Sequence, residues 1–229
     1  LSGLQTASAA KTPSASVHEL CPIVIAGPSG VGKGTIINRL LAAFPNCFGF
    51  SVSHTTRAPR AGEVNGQHYH FVTKDAFEAA IAENSFVEHA LVHTNYYGTS
   101  FATVDQVRTQ GKVCILDIDI QGVQNVKRSV LKCKYLFVAP PNMEELEKRL
   151  RGRNTETEEK ILIRLQNAHD EMKYGMEPGN FDAVIVNDEL DGTLRQIIEQ
   201  IQAWFPSLPM NIEEVPWIPS ASTANASVQ

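Results

Sequence analysis

The stretch Ile23-Val24-Ile25-Ala26-Gly27-Pro28-Ser29-Gly30-Val31-Gly32-Lys33-Gly34-Thr35 passes from an apolar β-type run through a glycine-rich turn into a helical pattern. Gly27, Gly30 and Gly32 permit the positive φ of a tight turn whose amides converge on an anion at a helix N-terminus. Lys33 adds a point charge within reach of the β- and γ-phosphates of a nucleotide. The usual phosphate-binding loop places Ser or Thr directly after the lysine, as a hydroxyl ligand to Mg²⁺. Gly34 stands there instead, and Thr35 follows. A glycine turn that merely joins strand to helix is the plain alternative. Ile36, Ile37, Leu40 and Leu41 give the amphipathic helix that the phosphate-binding context requires.

Around this loop the chain has 229 residues, 43% of them apolar, enough for one substantial α/β core with inserted subdomains. No run approaches the roughly 20 apolar residues that span a bilayer. A net charge of -5 argues against general binding to nucleic acid or anionic membrane, while leaving room for a local arginine cluster around a polyanionic substrate. The four cysteines (Cys21, Cys47, Cys114, Cys133) form no C-x-x-C pair, and they read as buried free thiols of a reducing compartment, the cytoplasm.

Residues 1–19 are rich in Ser, Ala and Thr without periodicity, and read as a disordered leader or expression remnant. The first strand is expected at 22–26, a helix at 33–44 stopped by Pro45-Asn46, and a second strand over 48–52. A polar loop, Arg57 to Gly66, leads to a strand through Tyr69, His70 and Phe71, a helix over 74–83, a strand over 86–93 and a turn at Asn95-Tyr96-Tyr97-Gly98. A helix over 101–110 follows. The runs Val113 to Leu116, Lys134 to Val138 and Ala183 to Val186 suit strands buried on both faces of a parallel sheet. Between the last two lie helices over 143–150 and 158–174, the second capped by Thr155 or Thr157, joined by a charged break that suits a mobile lid. The segment 206–229 is expected to wrap loosely or to be disordered. His68 and His70 lack neighbours that would complete a metal site.

The glycine loop, Ser51-Val52-Ser53-His54-Thr55-Thr56-Arg57-Ala58-Pro59-Arg60, Asn95-Tyr96-Tyr97-Gly98-Thr99 and Ile115-Leu116-Asp117-Ile118-Asp119-Ile120-Gln121-Gly122 occur in the order and spacing of guanylate kinases, which this chain resembles over about residues 21–203. The resemblance implies an α/β fold with a P-loop parallel-sheet core (20–52, 106–150 and 174–205), an inserted mixed α/β GMP-binding unit (53–105) and a helical lid (151–173). It implies ATP-dependent phosphorylation of GMP, and of dGMP, with Mg²⁺, by a monomer in purine nucleotide metabolism. A guanylate-kinase-like scaffold without phosphoryl transfer is the alternative, as is a kinase for another nucleoside monophosphate.

Residue roles follow from the same resemblance. Gly27, Ser29, Gly30, Gly32, Lys33, Gly34 and Thr35 are expected to hold the ATP phosphates, with Asn187 at the adenine. Arg57, Arg60, Tyr69 and Tyr97 match the positions that hold the GMP phosphate, for which a guanidinium fork is well shaped. Taken alone, the arginine loop reads equally as a solvated turn and the tyrosines as core packing. Glu88 matches the guanine reader, a carboxylate accepting from N1-H and the N2 amino group, with Ser53 and Thr99 near the base. Its plain alternative is an exposed strand residue. Asp117 and Asp119 form a Walker B-like pair whose two jobs, toward Mg²⁺ and toward GMP, stay undivided at this level. Mg²⁺ is expected to lean on phosphates and water near Asp117 and Thr35. Lys33, Arg57, Asp117, Arg149, Arg153 and Arg164 are the expected catalytic groups.

Overall fold

A computed structural model describes residues 20–92, 94–152, 157–211 and 215. The leader, Arg153, Thr155 and most of the segment after 211 therefore lie outside the described residues. Five parallel strands form the main sheet in the order β2-β7-β1-β8-β9: β1 (Ile23–Ala26), β2 (Phe48–Phe50), β7 (Val113–Asp117), β8 (Lys134–Ala139) and β9 (Ala183–Val186). Their continuous apolar runs are explained by burial on both faces. Ile23, Ile25, Ile115, Leu136 and Val138 face a core shared with α1 (Lys33–Ala43) and α7 (Leu190–Trp204). Val24, Ala26, Cys114, Leu116 and Phe137 face the other side, packed by α3 (Phe101–Arg108) and α4 (Ile120–Arg128).

A second, four-stranded mixed sheet has the order β4-β3-β6-β5: β3 (His54–Thr55), β4 (His70–Phe71), β5 (Phe86–Val92) and β6 (Asn95–Ser100). Helix α2 (Lys74–Ala82) lies between β4 and β5 in sequence, and its Phe77 stacks on Phe86 and Tyr96. The turn expected at Asn95 to Gly98 is instead part of β6. The β5–β6 hairpin turns one step earlier, and residues 95–98 pair with Val92 to His89. Helix α3 follows β6 directly and packs on β7 and β2 of the main sheet as well as on β6.

Helices α5 (Met143–Gly152) and α6 (Glu158–Met176) flank the charged break. Thr157 occupies the N-cap position of α6, but its hydroxyl makes no capping hydrogen bond. The second strand stops at Phe50, and β3, α4 and α7 had no counterpart in the sequence reading. After α7 the chain does not hang loosely at first: Leu208 and Val215 are buried in the main core. Among the described residues no helix is long and apolar enough to cross a membrane.

Candidate active site

Register places the site. Ile25 pairs with Asp117, so the glycine loop after β1 and the acidic end of β7 emerge side by side at the carboxyl edge of the sheet. Gly27 and Gly32 adopt φ of 149° and 107°. A Cβ at these positions would sit 2.2 Å from the Val138 carbonyl oxygen and 2.6 Å from the Asn187 side-chain nitrogen, so both conformation and space demand glycine. Helix α1 starts at Lys33 with no side-chain cap and no acid in its first turn. Its N-terminal amides and dipole are therefore directed at the loop interior, as anion binding requires. Lys33 Nζ donates to the Gly27 carbonyl at 2.6 Å. Thr35 is exposed at the mouth, and a side chain at Gly34 would meet nothing within 4 Å.

The loop is braced from two sides. The Asn187 side-chain nitrogen donates to the Val31 carbonyl at 2.7 Å, with the residue only 6% exposed. That nitrogen is thus spent on the loop. Arg149 donates from Nε to Glu145 at 3.0 Å and from Nη1 to the Asn187 carbonyl at 2.9 Å. Arg149 and Asn187, with Gly30, Gly32, Thr35 and Asp188, line a cleft of about 300 Å³. On the other side, α6 holds Ser29: Arg164 donates to its hydroxyl, and Glu171 accepts its amide. Burial pushes the Glu171 carboxyl up to about 7, with Lys33 opposing and Asp119 adding repulsion. Glu171 was absent from the sequence reading. Its signal was the seven-residue spacing from Arg164, two helical turns on one face.

A second cleft, of about 240 Å³, lies between the inserted sheet and the end of β7, lined by Ser53, Tyr69, Glu88, Tyr97, Asp117 and Asp119 among others. Glu88 is 8% exposed, which removes the exposed-strand alternative. Burial raises its carboxyl to about 7; a hydrogen bond from Thr99 opposes this and the Asp119 charge adds to it. Thr99 faces it in register, 1% exposed, with its hydroxyl 3.4 Å from that of Ser53. Asp119 is the N-cap of α4, accepting the Gly122 amide at 2.7 Å. Asp117 has no such task. It is exposed to the cleft while crowded by protein elsewhere, and that crowding raises its pKa against the pull of Lys33.

At the mouth of this cleft Arg57 forms a two-pronged ion pair with Glu63, both contacts 2.9 Å, and its guanidinium lies 5.4 Å from the Tyr69 ring centre. Glu63 also accepts the Arg60 amide at 2.6 Å, and the Arg57 guanidinium holds its carboxyl down at about 2. Tyr69 meets Tyr97 edge-on at 6.0 Å. Arg57 is therefore a built element and not a solvated turn residue, whereas the Arg60 side chain is exposed. Glu63 is the second residue the sequence reading missed, although its position three after Arg60 was visible. Of the expected site residues, Ser53, Tyr69, Glu88, Tyr97, Asp117 and Asp119 line the one cleft and Gly30, Gly32, Thr35, Arg149 and Asn187 the other, while Arg153 lies outside the described residues.

The guanylate kinase family model matches residues 19–204. "Guanylate kinase 1" of Oryza sativa subsp. japonica is 56% identical over 170 residues, 74% of this chain and 44% of that protein. "Guanylate kinase" of Schizosaccharomyces pombe is 52% identical over 179 residues, 78% of this chain and 89% of that one. "Guanylate kinase" of Homo sapiens is 48% identical over 180 residues, 79% and 91%. This chain spans less than half the length of the rice and Arabidopsis thaliana relatives it matches. Among solved structures, the guanylate kinase from Anaplasma phagocytophilum aligns with a TM-score of 0.57 at 28% identity, covering 80% of this chain and 85% of that one. The ordered motifs, the parallel sheet with its glycine loop, and these likenesses together show that the chain belongs to the guanylate kinase family.

Proposed function

We propose that the chain transfers the γ-phosphoryl group of ATP to GMP, and to dGMP, giving ADP and GDP or dGDP. One observation carries the reading: Asp117, which lines the acidic cleft, is close enough to Lys33 of the glycine loop for the ammonium to pull on its ionisation. The two clefts meet, in this reading, at that lysine and carboxylate. In this reading the loop amides, Lys33 and Thr35 hold the triphosphate, with Arg149 and Asn187 lining its cleft. Arg57, Arg60, Tyr69 and Tyr97 hold the GMP phosphate, and Glu88, Ser53 and Thr99 read the base. The carboxylate of Glu88 accepts both guanine donors, whereas adenine would leave a buried charge unpaired.

The attacking GMP oxygen is already ionised, so no strong general base is required. Catalysis consists of in-line positioning and neutralisation of charge by Lys33, Arg149, Arg153 and Arg164. The donor set suits Mg²⁺ held chiefly by phosphate and water: Gly34 offers no hydroxyl, Asp117 offers one open carboxylate, and no cluster of three ligating side chains exists among the described residues. When bound, that ion would neutralise charge on the transferring phosphates, with Asp117 and Thr35 nearest. Closure of the 151–173 segment and the inserted sheet over both substrates would exclude water. The intact cradle around Lys33 favours catalysis over a scaffold role. The proposed setting is a monomer in a reducing cytoplasm, in purine nucleotide metabolism; four free thiols, two pushed up to about 12 by burial, support the reducing compartment.

A coupled assay with ATP and each of GMP, dGMP, AMP, CMP and UMP tests the reading. Turnover with GMP and dGMP well above the others is expected. Turnover with none overturns the enzyme reading, and a preference for AMP overturns the base-recognition argument.

A further inference from the structure

Helix α4 begins beside the acidic cleft and packs on β5, tied to it by Asn125, whose side-chain nitrogen donates to the His89 carbonyl at 3.2 Å. One turn earlier on the same face stands Gly122, a buried helical residue with no positive φ to require glycine. A Cβ there would lie 3.3 Å from Glu88 Oε2, 3.3 Å from Asp119 Oδ1 and 3.1 Å from the Ile118 Cβ. Contacts this short force a neighbour to give by a few tenths of an ångström. Ile118 is anchored in the core and is 8% exposed, and Asp119 Oδ1 is held by the Gly122 amide at 2.7 Å. Of the three, the Glu88 carboxylate, with an open cleft before it, is the side chain with room to move. Helix energetics alone favour alanine at such a position, so the glycine is kept against local preference.

We propose that Gly122 is a specificity-positioning residue: the missing side chain leaves the slot against α4 in which the Glu88 carboxylate sits, aimed at the acceptor's base edge. The inference rests on the reading of Glu88 as the guanine acceptor. Two hydrogen bonds to one base edge demand both carboxylate oxygens in place, so a displaced carboxylate costs GMP two bonds and IMP, lacking the N2 amino group, only one.

The test is Gly122→Ala, assayed with GMP and IMP as acceptors. Expected are a KM for GMP raised about fivefold to tenfold, a smaller preference for GMP over IMP, and an unchanged KM for ATP. A purely structural glycine gives a changed thermal midpoint with unchanged preference, and that result overturns the proposal. Glu88→Asp, whose shorter side chain withdraws from the slot, provides a second variant. In its background Gly122→Ala should cost less than in the parent, and strictly additive effects also overturn the proposal. Glu88→Gln separates the two levels. An unchanged GMP-to-IMP preference in that variant removes the reading of Glu88 itself. A changed preference there, with none in Gly122→Ala, removes only the inference about the glycine.

Discussion

Replacing Glu88 by Gln should stabilise the fold at pH 8 and leave it nearly unchanged at pH 4.5. Burial raises this carboxyl from 4.5 to about 7, so the folded protein binds its proton more tightly than the unfolded chain does. Below about 4.5 the group is neutral in both states and contributes nothing. Between about 4.5 and 7 the unfolded chain ionises while the folded one resists, and native stability falls as pH rises. Above about 7 the loss is complete and constant. At about 1.4 kcal/mol per pKa unit the ceiling is about 3 kcal/mol; water in the cleft lowers the expected gain at pH 8 to about 1–2 kcal/mol. Glutamine fills the same space without a charge to desolvate. Urea unfolding at both pH values reads the difference directly. Equal midpoints at pH 8, or an equal gain at both pH values, would refute the reasoning. The same ionisation predicts that KM for GMP in the parent rises as pH falls below about 7, by up to about tenfold per pH unit, and that Glu88→Gln flattens this profile.

Glu63→Gln removes the carboxylate that forks onto Arg57 and should raise KM for GMP about tenfold while leaving KM for ATP unchanged, since a charge-assisted two-pronged contact is replaced by a neutral one; equal changes in both constants would count against a local role. Gly27→Ala, whose Cβ would press on the Val138 carbonyl at 2.2 Å, should cost about 3 kcal/mol or more, whereas Gly34→Ser, with open space around its Cβ, should leave the thermal midpoint within about 2 °C. A loss of stability in Gly34→Ser would mean that the loop is tighter than described. Glu171→Gln removes a charge from beside Lys33 and the Ser29 amide and should change KM for ATP by about threefold or more, with KM for GMP constant; a change confined to GMP would remove Glu171 from the triphosphate side.

The glycine loop, the buried apolar strands and the arginine and aspartate motifs were legible because local chemistry fixes them. A strand buried on both faces must be apolar throughout, and an anion cradle must have glycines at its positive-φ turns. The helices α4 and α7 were harder to see. Asp119 caps α4 while also lining the acidic cleft, and the motif by itself does not announce the first of these tasks. Asn95 to Gly98 carries turn residues, yet pairing with β5 draws it into a strand. Glu63, Glu171 and Gly122 escaped for a common reason. Each acts on a partner through space: Glu63 on Arg57 within one loop, Glu171 on the Ser29 amide, and Gly122 on a carboxylate 34 positions earlier. The sequence by itself thus determined the family, the sheet and the chemical kinds of group available. Only the tertiary structure decided which groups meet, because burial of Glu88, the bracing of Ser29 and the slot at Gly122 arise from packing between distant segments.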